Sequence, residues 1–516
     1  MVMFFKNGLN VSERETAHRL ILVVILILAA LIYLYNLGRE SLTTDEYFSF
    51  YLARQPLEQI VFGHQTPSNP NTIPPLYEII LHFWLKIFGI SDFAQRSLSA
   101  VLGILSVYLI YRMGSLLFNV PTGLISGLFA SLSLSWFTFF RQNRCYSLFI
   151  CLTLLSFYLF FYLLKNKESR LSLPLLIITN IALTYTNYFG FLVIFLQVIL
   201  GLLETKGNIS EFKKILFMCL WVAFAYGPWY ANLLYDMKKE PLLNIKMYDP
   251  DLFMRLFAIF ITFFADFHIR WEPLLLLFYL PFIVRGWVRL HKEKNENFRY
   301  LSLFPFIVYP VSFVIIYFLT SSYRVRYYTA FSFPLFILLA LGMQKIGLRR
   351  FTRIALLLIY GIIFVLNFSD LRDSFIYNLN EEWKGAAQYI KQIPEYKNKN
   401  MVFLFQTKYN PPVFSYYYWN KQVADTYMKN ITDYQNYEDS PEHKLYLVSE
   451  QVNDKRLFEK IDFLPDDAWI WLFRYHEPHA YFFLRINNAD KYFLRQIPLN
   501  PELPQIDLFL FKRIKK

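Results

Sequence analysis

LILVVILILAALIYLYNL, residues 20–37, is long enough to cross a bilayer, whose apolar core needs about 20 predominantly apolar residues. No small-residue cleavage site follows this run, so we expect a retained helix rather than a signal peptide. Further apolar runs lie at 97–117, 121–140, 146–164, 171–187, 189–203, 214–233, 271–288, 300–320, 329–346 and 352–369. The sequence therefore predicts an all-α polytopic membrane domain of about eleven transmembrane helices.

The overall composition is that of a membrane protein. Hydrophobic residues make up 55% of the 516 residues and charged residues 18%, with a mean hydropathy of +0.30. The formal net charge of +13 arises mainly from Lys and Arg in short gaps between apolar runs. Cations at such places set topology and contact lipid headgroups, so membrane lipids rather than nucleic acid are the expected partners. The three cysteines lie in or beside apolar segments and suggest no disulfide framework.

The cationic gaps also predict which residues face outward. If the predicted spans alternate, nearly all clusters of Lys and Arg between them fall on one side, which the positive-inside rule identifies as the cytoplasm. The acidic pair Asp45-Glu46 and the segments 141–147 and 323–328 then lie on the outer face. The residues after about 370 lie outside as well.

The predicted domain organisation has two parts. A transmembrane domain spans 1–369 and contains a long first extracytoplasmic loop at 38–96. Interfacial helices are expected at 75–88 and 252–266, where short aromatic and amphipathic segments occur, and the first loop is expected to contain a further helix at 46–60. Residues 370–516 are expected to form a small extracytoplasmic α/β domain, with helices at 381–392 and 411–420 and strands at 401–406, 444–449 and 507–512.

Asp45 and Glu46 are the first candidates for chemistry. A carboxylate at the membrane face can act as a general base on a hydroxyl group of a substrate. The segment Thr43-Thr44-Asp45-Glu46 also suits the start of a helix, because Thr and Asp are preferred N-cap residues. Asp45 could therefore cap a helix that begins near Tyr47, and one acid of the pair could do this while the other faces substrate.

Arginines on the outer face are the second group of candidates. Arg141 and Arg144 follow the third span, and Arg324 and Arg326 precede the tenth. A guanidinium group is planar, always charged and well suited to phosphate esters. The alternative is that these side chains reach toward lipid headgroups.

Aromatic residues and one loop histidine form the third group. Tyr47 and Tyr327 could stack on a sugar or an isoprenoid chain, although Tyr is generally enriched at membrane interfaces. His64, which precedes Pro67 in the first loop, is a weak substrate-binding candidate, because a single loop histidine is usually solvated.

Four stretches together carry a resemblance to a known family. The chain resembles the polytopic C-type glycosyltransferases that use polyprenyl-phosphate sugars, in the clan of the protein O-mannosyltransferases and the lipid A aminoarabinose transferase. The resemblance covers roughly the first 370 residues. The stretches are TTDEYFSFYLA at 43–53, PPLYEIILHFWLKIFGISDFAQRSLSAVLG at 74–103, RQNRCYSLF at 141–149 and RVRYYTAFSFPLFILLALG at 324–342.

The resemblance implies specific roles for individual residues. It implies that Asp45 is the catalytic acid residue that deprotonates or orients the acceptor hydroxyl, with Glu46 in support. Arg144 and Tyr146 match the family pair after the third span. Arg326 and Tyr327 match the pair proposed to meet the lipid-phosphate end of the donor, which Arg324 could assist.

One position departs from the family pattern. Gln142 stands where relatives usually have an acid, and Gln can bind a sugar or an acceptor but supplies no negative charge for a metal ion. We therefore expect no firmly bound catalytic metal and no other cofactor. A weakly bound divalent cation remains compatible with the sequence.

These observations predict an enzyme in the bacterial inner membrane. It would transfer a sugar from a polyprenyl-phosphate donor to a hydroxyl of an envelope glycan, lipid or protein on the outer face, with inversion at the anomeric carbon. The competing interpretations are a transporter or flippase of lipid-linked sugars and a non-catalytic envelope scaffold.

The predicted sidedness can be tested directly. Single cysteines at positions 45 and 326 are both expected to react with a membrane-impermeant maleimide in intact cells whose outer barrier has been opened. Labelling of the two positions from opposite sides of the bilayer would contradict the predicted topology.

Overall fold

A computed structural model of the protein describes its helices and strands in two compact units. The first, here the helical unit, comprises Met1–Leu37 and Asn71–Asp370, and the second, the mixed unit, comprises Gly38–Pro70 and Leu371–Lys516. The predicted first loop is thus divided, since residues 38–70 group with the C-terminal region. The described residues are 11–62, 74–166, 169–205, 209–239, 272–292, 329–344, 383–392, 401–405, 410–419, 444–447, 469–475, 492–497 and 506–513.

The helical unit contains three described helices that are long and apolar enough to span a membrane. They are α1 (Val11–Leu34), α5 (Asp92–Leu117) and α8 (Tyr146–Lys165). On α1 the apolar side chains are largely exposed, with Leu20 62% and Leu31 65% accessible. Such a surface is costly in water and fits contact with lipid chains.

The other described helices of this unit are shorter or interrupted by proline. They are α4 (Leu76–Phe88), α6 (Val120–Ser131), α7 (Leu134–Phe140), α9 (Ser172–Thr184), α10 (Gly190–Thr205), α11 (Ile209–Lys239), α12 (Glu272–Lys292) and α13 (Phe333–Met343), with a 3₁₀ turn at Thr329–Phe331. The predicted spans 300–320 and 352–369 and the predicted interfacial helix 252–266 lie outside the described residues.

One predicted span is not a single helix. The run 121–140 is divided into α6 and α7, with a break at Leu132 and Ser133. The hydroxyl of Ser133 accepts a hydrogen bond from the backbone N–H of Trp136 and so caps the second helix. The expectation of one continuous span was wrong here, because uniform apolar composition does not reveal a local capping interaction.

Helices α5 and α6 approach each other closely at two glycines. A Cβ atom added to Gly114 would lie 2.9 Å from the Cα atom of Gly123. Small residues at membrane helix contacts allow backbones to come near one another and gain van der Waals packing. The connection between the helices is short because Asn119 caps α6 through the backbone N–H of Thr122.

A buried polar cluster links four helices of the same unit. The Asn180 side chain of α9 accepts from the Ser156 hydroxyl of α8 and donates to the Gln197 side-chain oxygen of α10 at 2.9 Å. Gln197 donates in turn to Ser156 at 2.6 Å, and Asn180 also approaches the Met218 sulfur of α11 at 3.1 Å. Ser156, Asn180 and Gln197 are fully buried, so each satisfies polar groups that have no access to water.

The mixed unit combines helices with a five-stranded sheet. Its helices are α2 (Thr44–Ala53), α3 (Leu57–Phe62), α14 (Trp383–Gln392) and α15 (Asn410–Tyr418). Its strands are β1 (Met401–Phe405), β2 (Lys444–Leu447), β3 (Trp469–Tyr475), β4 (Tyr492–Ile497) and β5 (Ile506–Arg513). Strands β2, β1 and β3 run parallel, and β5 and β4 continue the sheet antiparallel in the order β2-β1-β3-β5-β4.

Strands occur at the three places where the sequence predicts them, and two more are present. Strands β3 and β4 were not predicted. The β3 sequence, WIWLFRY, is a short apolar run that periodicity alone does not assign to a strand or a helix. Its neighbours on both sides, β1 and β5, come from distant parts of the chain.

The polar cluster provides a test of packing in the helical unit. Asn180→Leu is expected to lower the free energy of unfolding by about 1–2 kcal/mol, because it removes three interhelical contacts and leaves Gln197 and Ser156 with fewer partners. Thermal unfolding in detergent measures the effect. Thr184→Val is the matched control, since the Thr184 hydroxyl bonds only to the Ile181 carbonyl of its own helix among the described residues. Equal stability of the two variants would contradict the assigned role of the cluster.

Candidate functional site

The acidic pair lies in the first turn of helix α2. Thr43 is the N-cap residue, and its hydroxyl accepts a hydrogen bond from the backbone N–H of Glu46 at 3.2 Å. The Glu46 carboxylate accepts the backbone N–H of Thr43 at 2.9 Å. These reciprocal bonds form a capping box, which satisfies two backbone donors that the helix itself cannot use. The alternative in which Asp45 caps a helix beginning near Tyr47 is therefore replaced by a cap at Thr43.

The two acids consequently differ in their surroundings. Glu46 is fully buried, whereas Asp45 is exposed at the second position of the same helix. Glu46 is used to start the helix, and Asp45 is the exposed member of the pair. Tyr47, the other predicted residue on this segment, is 1% exposed and packs within the mixed unit.

Helix α2 packs against helix α15 of the C-terminal region. The Tyr47 and Phe50 rings lie 5.7 and 5.6 Å from the ring of Tyr416, measured between centroids. The hydroxyl of Tyr417 accepts the backbone N–H of Leu42 at 2.7 Å. Tyr416 and Tyr417 were not among the predicted site residues, and their local signal in the sequence is the aromatic run at 416–419.

In the helical unit, two of the motifs that carry the family resemblance meet. Tyr77, at the start of α4, donates from its hydroxyl to the Asn143 side-chain oxygen at 3.0 Å. The same hydroxyl lies 3.1 Å from the Ser99 hydroxyl, to which Ser147 donates at 2.9 Å. Tyr77, Asn143, Ser99 and Ser147 are all fully buried. The PPLYE segment and the RQNRCYS segment are thus joined by a buried hydrogen-bond network.

Helix α4 also buries two titratable side chains that face the interior of the protein. Glu78 is 2% exposed and His82 9%, whereas Lys86 on the following turn is exposed. A buried carboxylate is uncommon in proteins, so Glu78 is a further candidate residue on this helix. From the sequence, Glu78 is only one polar position of the predicted interfacial helix 75–88.

The two arginines of the 141–147 segment have different environments. The Arg141 guanidinium donates to the carbonyl oxygens of Ile32 and Tyr33 at 3.4 and 3.3 Å, and to that of Tyr35. Ile32 and Tyr33 lie in the last turn of α1 and Tyr35 follows it, where carbonyls lack partners within the helix and the helix dipole favours a positive charge. Arg141 therefore anchors α1, and the alternative in which it reaches lipid headgroups is not what the structure shows.

Arg144, by contrast, belongs to the turn between α7 and α8. It is 6% exposed, and its guanidinium carbon lies 6.0 Å from the centre of the Tyr146 ring. Its backbone N–H donates to the carbonyl of Gln142, whose side chain is half-buried. Gln142, Arg144 and Tyr146 thus occupy one tight turn at the start of α8.

The predicted site residues fall into three sets. Asp45, Glu46 and Tyr47 belong to the mixed unit, and the turn 142–146 belongs to the helical unit. The remaining predicted residues lie outside the described part of the chain: His64, Arg324, Arg326 and Tyr327. Within the described residues, no group of three or more His, Cys, Asp or Glu side chains is arranged to hold a metal ion.

The fold and the motifs define a class of protein: a multi-pass membrane protein with a polar mixed unit. Residues 72–230 match the family described as dolichyl-phosphate-mannose-protein mannosyltransferase. The matched region contains the Tyr77 motif and the 141–149 motif, which the structure joins. A search of curated protein sequences finds no significant match.

Solved structures share the fold of nearly the whole chain. ArnT from Cupriavidus metallidurans in the apo state is 11% identical, with 95% of this chain and 97% of ArnT covered and a TM-score of 0.54. The same protein bound to undecaprenyl phosphate is 10% identical over the same shares, with a TM-score of 0.52. The family match and the shared fold confirm the resemblance to C-type glycosyltransferases of the mannosyltransferase and ArnT type.

The role of Arg141 can be separated from substrate binding by a stability measurement. Arg141→Gln is expected to destabilise the protein by about 1.5–3 kcal/mol, because hydrogen bonds from a charged donor to the α1 carbonyls are lost in a buried place. Thermal unfolding in detergent provides the readout. The exposed Arg170, changed to Gln, is the control and should behave like wild type. An Arg141→Gln variant of unchanged stability would mean that the α1 terminus does not depend on this side chain.

Proposed function

We propose that the protein is a membrane glycosyltransferase that uses a polyprenyl-phosphate sugar as donor. The acceptor is a hydroxyl group of a cell-envelope glycan, lipid or protein, on the outer face of the bacterial inner membrane. The observation that carries the proposal is the family match over 72–230, which includes the buried junction between Tyr77 and Asn143. The fold shared with ArnT, one of whose structures holds undecaprenyl phosphate, supports a lipid-linked donor.

Asp45 is the proposed base. Its carboxylate is exposed at the start of a helix that is fixed by the Thr43–Glu46 capping box. As the acceptor oxygen attacks the anomeric carbon, Asp45 takes the hydroxyl proton, the new glycosidic bond forms, and the bond from the anomeric carbon to the phosphate oxygen breaks. Polyprenyl phosphate leaves with the bonding electrons, and attack from the opposite face inverts the anomeric configuration.

Arginine side chains are proposed to hold the donor phosphate. Arg144 is buried in the turn 142–146 of the helical unit, where a guanidinium group can offer a planar set of donors to phosphate oxygens. Arg324 and Arg326, with Tyr327, are proposed to act on the same phosphate from a segment outside the described residues. Positive charge there would stabilise the negative charge that develops on the departing phosphate.

Acceptor binding is proposed to use neutral side chains. Gln142, half-buried beside Arg144, can donate and accept hydrogen bonds to a sugar or an acceptor without binding a metal strongly. Tyr146 and His64 are proposed as further contacts, whereas the predicted contact of Tyr47 with a substrate is not supported, because its ring is 1% exposed and packs on Tyr416. The proposal therefore requires no tightly bound metal ion, and a weakly bound divalent cation is compatible with it.

Replacement of Asp45 tests the proposed chemistry. Asp45→Asn is expected to lower the transfer rate by about 10²–10⁴-fold, because the amide cannot accept the proton. The assay uses purified protein in detergent or liposomes, a panel of radiolabelled polyprenyl-phosphate sugars and crude envelope as acceptor, and it measures release of the lipid phosphate. Unchanged thermal stability would show that the loss is chemical.

Two matched variants complete the test. Glu46→Gln keeps an acceptor for the Thr43 N–H and is expected to lose far less activity, since Gln also serves in capping boxes. Glu58→Gln removes an exposed carboxylate from helix α3 of the same segment and should leave transfer unchanged. Full activity of Asp45→Asn, or no lipid-phosphate release from any donor by the wild-type protein, would overturn the proposed function.

A further inference from the structure

We propose that Tyr417 of helix α15 is a positioning residue for Asp45, so that the C-terminal region is a working part of the transferase. The inference rests on the proposed function, because it assigns Asp45 the role of base. It concerns contacts within the mixed unit, which contains both the acidic segment and α15. Tyr417 acts through the backbone that carries Asp45.

The first contact lies just before the acidic helix. The backbone N–H of Leu42 donates to the Tyr417 hydroxyl at 2.7 Å, and Leu42 is fully buried. A buried N–H group without a partner costs free energy comparable to a lost hydrogen bond. The bond therefore holds the backbone one residue before the N-cap Thr43 and three residues before Asp45.

The second contact lies just after the acidic pair. The rings of Tyr47 and Phe50 pack on Tyr416, with centroid distances of 5.7 and 5.6 Å, and both are almost completely buried. Aromatic pairs at such distances stabilise a contact beyond the burial of their area. Asp45 is thus exposed between two contacts with α15, one at Leu42 and one at Tyr47 and Phe50.

Helix α14 contacts both Gly38, which precedes the acidic helix, and Tyr417 of α15. Lys384 donates to the Gly38 carbonyl at 3.4 Å, and its ammonium lies 5.9 Å from the centre of the Tyr417 ring. Lys391 of the same helix donates to the Tyr417 carbonyl at 3.0 Å. Tyr417 is consequently contacted on its ring and its backbone by one helix and on its hydroxyl by the acidic segment.

Helix α15 is itself anchored on the sheet. Phe403 of β1 is fully buried, and its ring lies 5.2 Å from Phe414 and 5.1 Å from Tyr418 on the other face of α15. Burial raises the pKa of the Tyr418 phenol, so this side chain stays neutral within the aromatic cluster. The contacts run from β1 through α15 to α2, so α15 packs between the sheet and the acidic segment.

A base on a short helix must be held closely in place to act. Catalytic groups need to stay within about 0.5 Å of the productive position, and a shift of about 1 Å can cost 10²-fold in rate. The capping box determines the residue at which α2 begins, but it does not determine the position of α2 relative to the rest of the mixed unit. Tyr416 and Tyr417 supply that external constraint.

Tyr417→Phe in the full-length protein is the decisive variant. It removes the acceptor of the Leu42 N–H and keeps the ring that packs beside Lys384. We expect kcat to fall by about 10-fold or more, while the donor KM stays within about twofold, because the base is displaced but the phosphate contacts are elsewhere. Hydrogen–deuterium exchange of the segment 42–47 should become faster, and exchange of α4 should not change.

Tyr389→Phe is the matched control. Tyr389 lies half-buried on α14, and its hydroxyl makes no hydrogen bond to residues 38–54 in the described part of the chain. It should show wild-type kcat and wild-type exchange at 42–47. Tyr416→Leu provides a second variant, since it removes the ring contacts to Tyr47 and Phe50 and should also lower kcat selectively.

The outcomes distinguish this inference from the proposed function. Wild-type kcat in both Tyr417→Phe and Tyr416→Leu, or unchanged exchange at 42–47, overturns the inference while Asp45→Asn remains inactive. Parallel losses of kcat, donor binding and melting temperature would show a merely structural role and overturn it too. Full activity of Asp45→Asn would instead remove the proposed function on which the inference rests.

Discussion

The capping box between Thr43 and Glu46 decides which of two adjacent acids the protein exposes. Because Glu46 accepts the N–H of its own N-cap, its carboxylate is turned back onto the helix terminus and is buried. Asp45, one residue earlier, lies on a different side of the same turn and is exposed. One local hydrogen-bond pattern therefore separates a buried acid that builds the helix start from the exposed acid that we propose as the base.

In the helical unit, as in the capping box, polar groups that are buried form hydrogen bonds within the protein. Backbone and side-chain polar groups that are removed from water need partners within the protein, so arginine and small polar residues recur where helices end or meet. Arg141 satisfies the terminal carbonyls of α1, and the Tyr77–Asn143 bond joins α4 to the turn before α8. The family match covers this junction, which supports its importance for the proposed activity.

The position of the C-terminal region changes how the chain is understood. From the sequence it is an appended α/β domain after residue 369, whereas the structure groups it with residues 38–70. The acidic helix and α15 pack through aromatic rings, and the sheet supports α15 from its other side. If Asp45 is the base, as we propose, the described helix α15 determines how precisely that carboxylate is held.

Structural features that depend on residues close together in the sequence could be predicted. The lengths of the apolar runs indicated a membrane protein, and the described spans α1, α5 and α8 begin and end within a few residues of the predicted runs, except for the first two turns of α1. The Thr-Thr-Asp-Glu stretch indicated a helix start near Asp45. The division of 121–140 into two helices was not predicted, although the cap from Ser133 to the Trp136 N–H is also local, because the run was judged by its hydropathy alone.

By itself, the sequence determined the membrane class, the helix start beside Asp45 and the segments that carry the family resemblance, because hydropathy and capping are local properties. Only the tertiary structure decided three hydrogen bonds: that of Arg141 to the carbonyls at the end of α1, that of Tyr77 to Asn143, and that of the Leu42 N–H to Tyr417. The last two residues are 375 positions apart. No local pattern specifies such a partner, since the donor is an ordinary backbone N–H and only the packed arrangement of sheet and helices brings the acceptor to it.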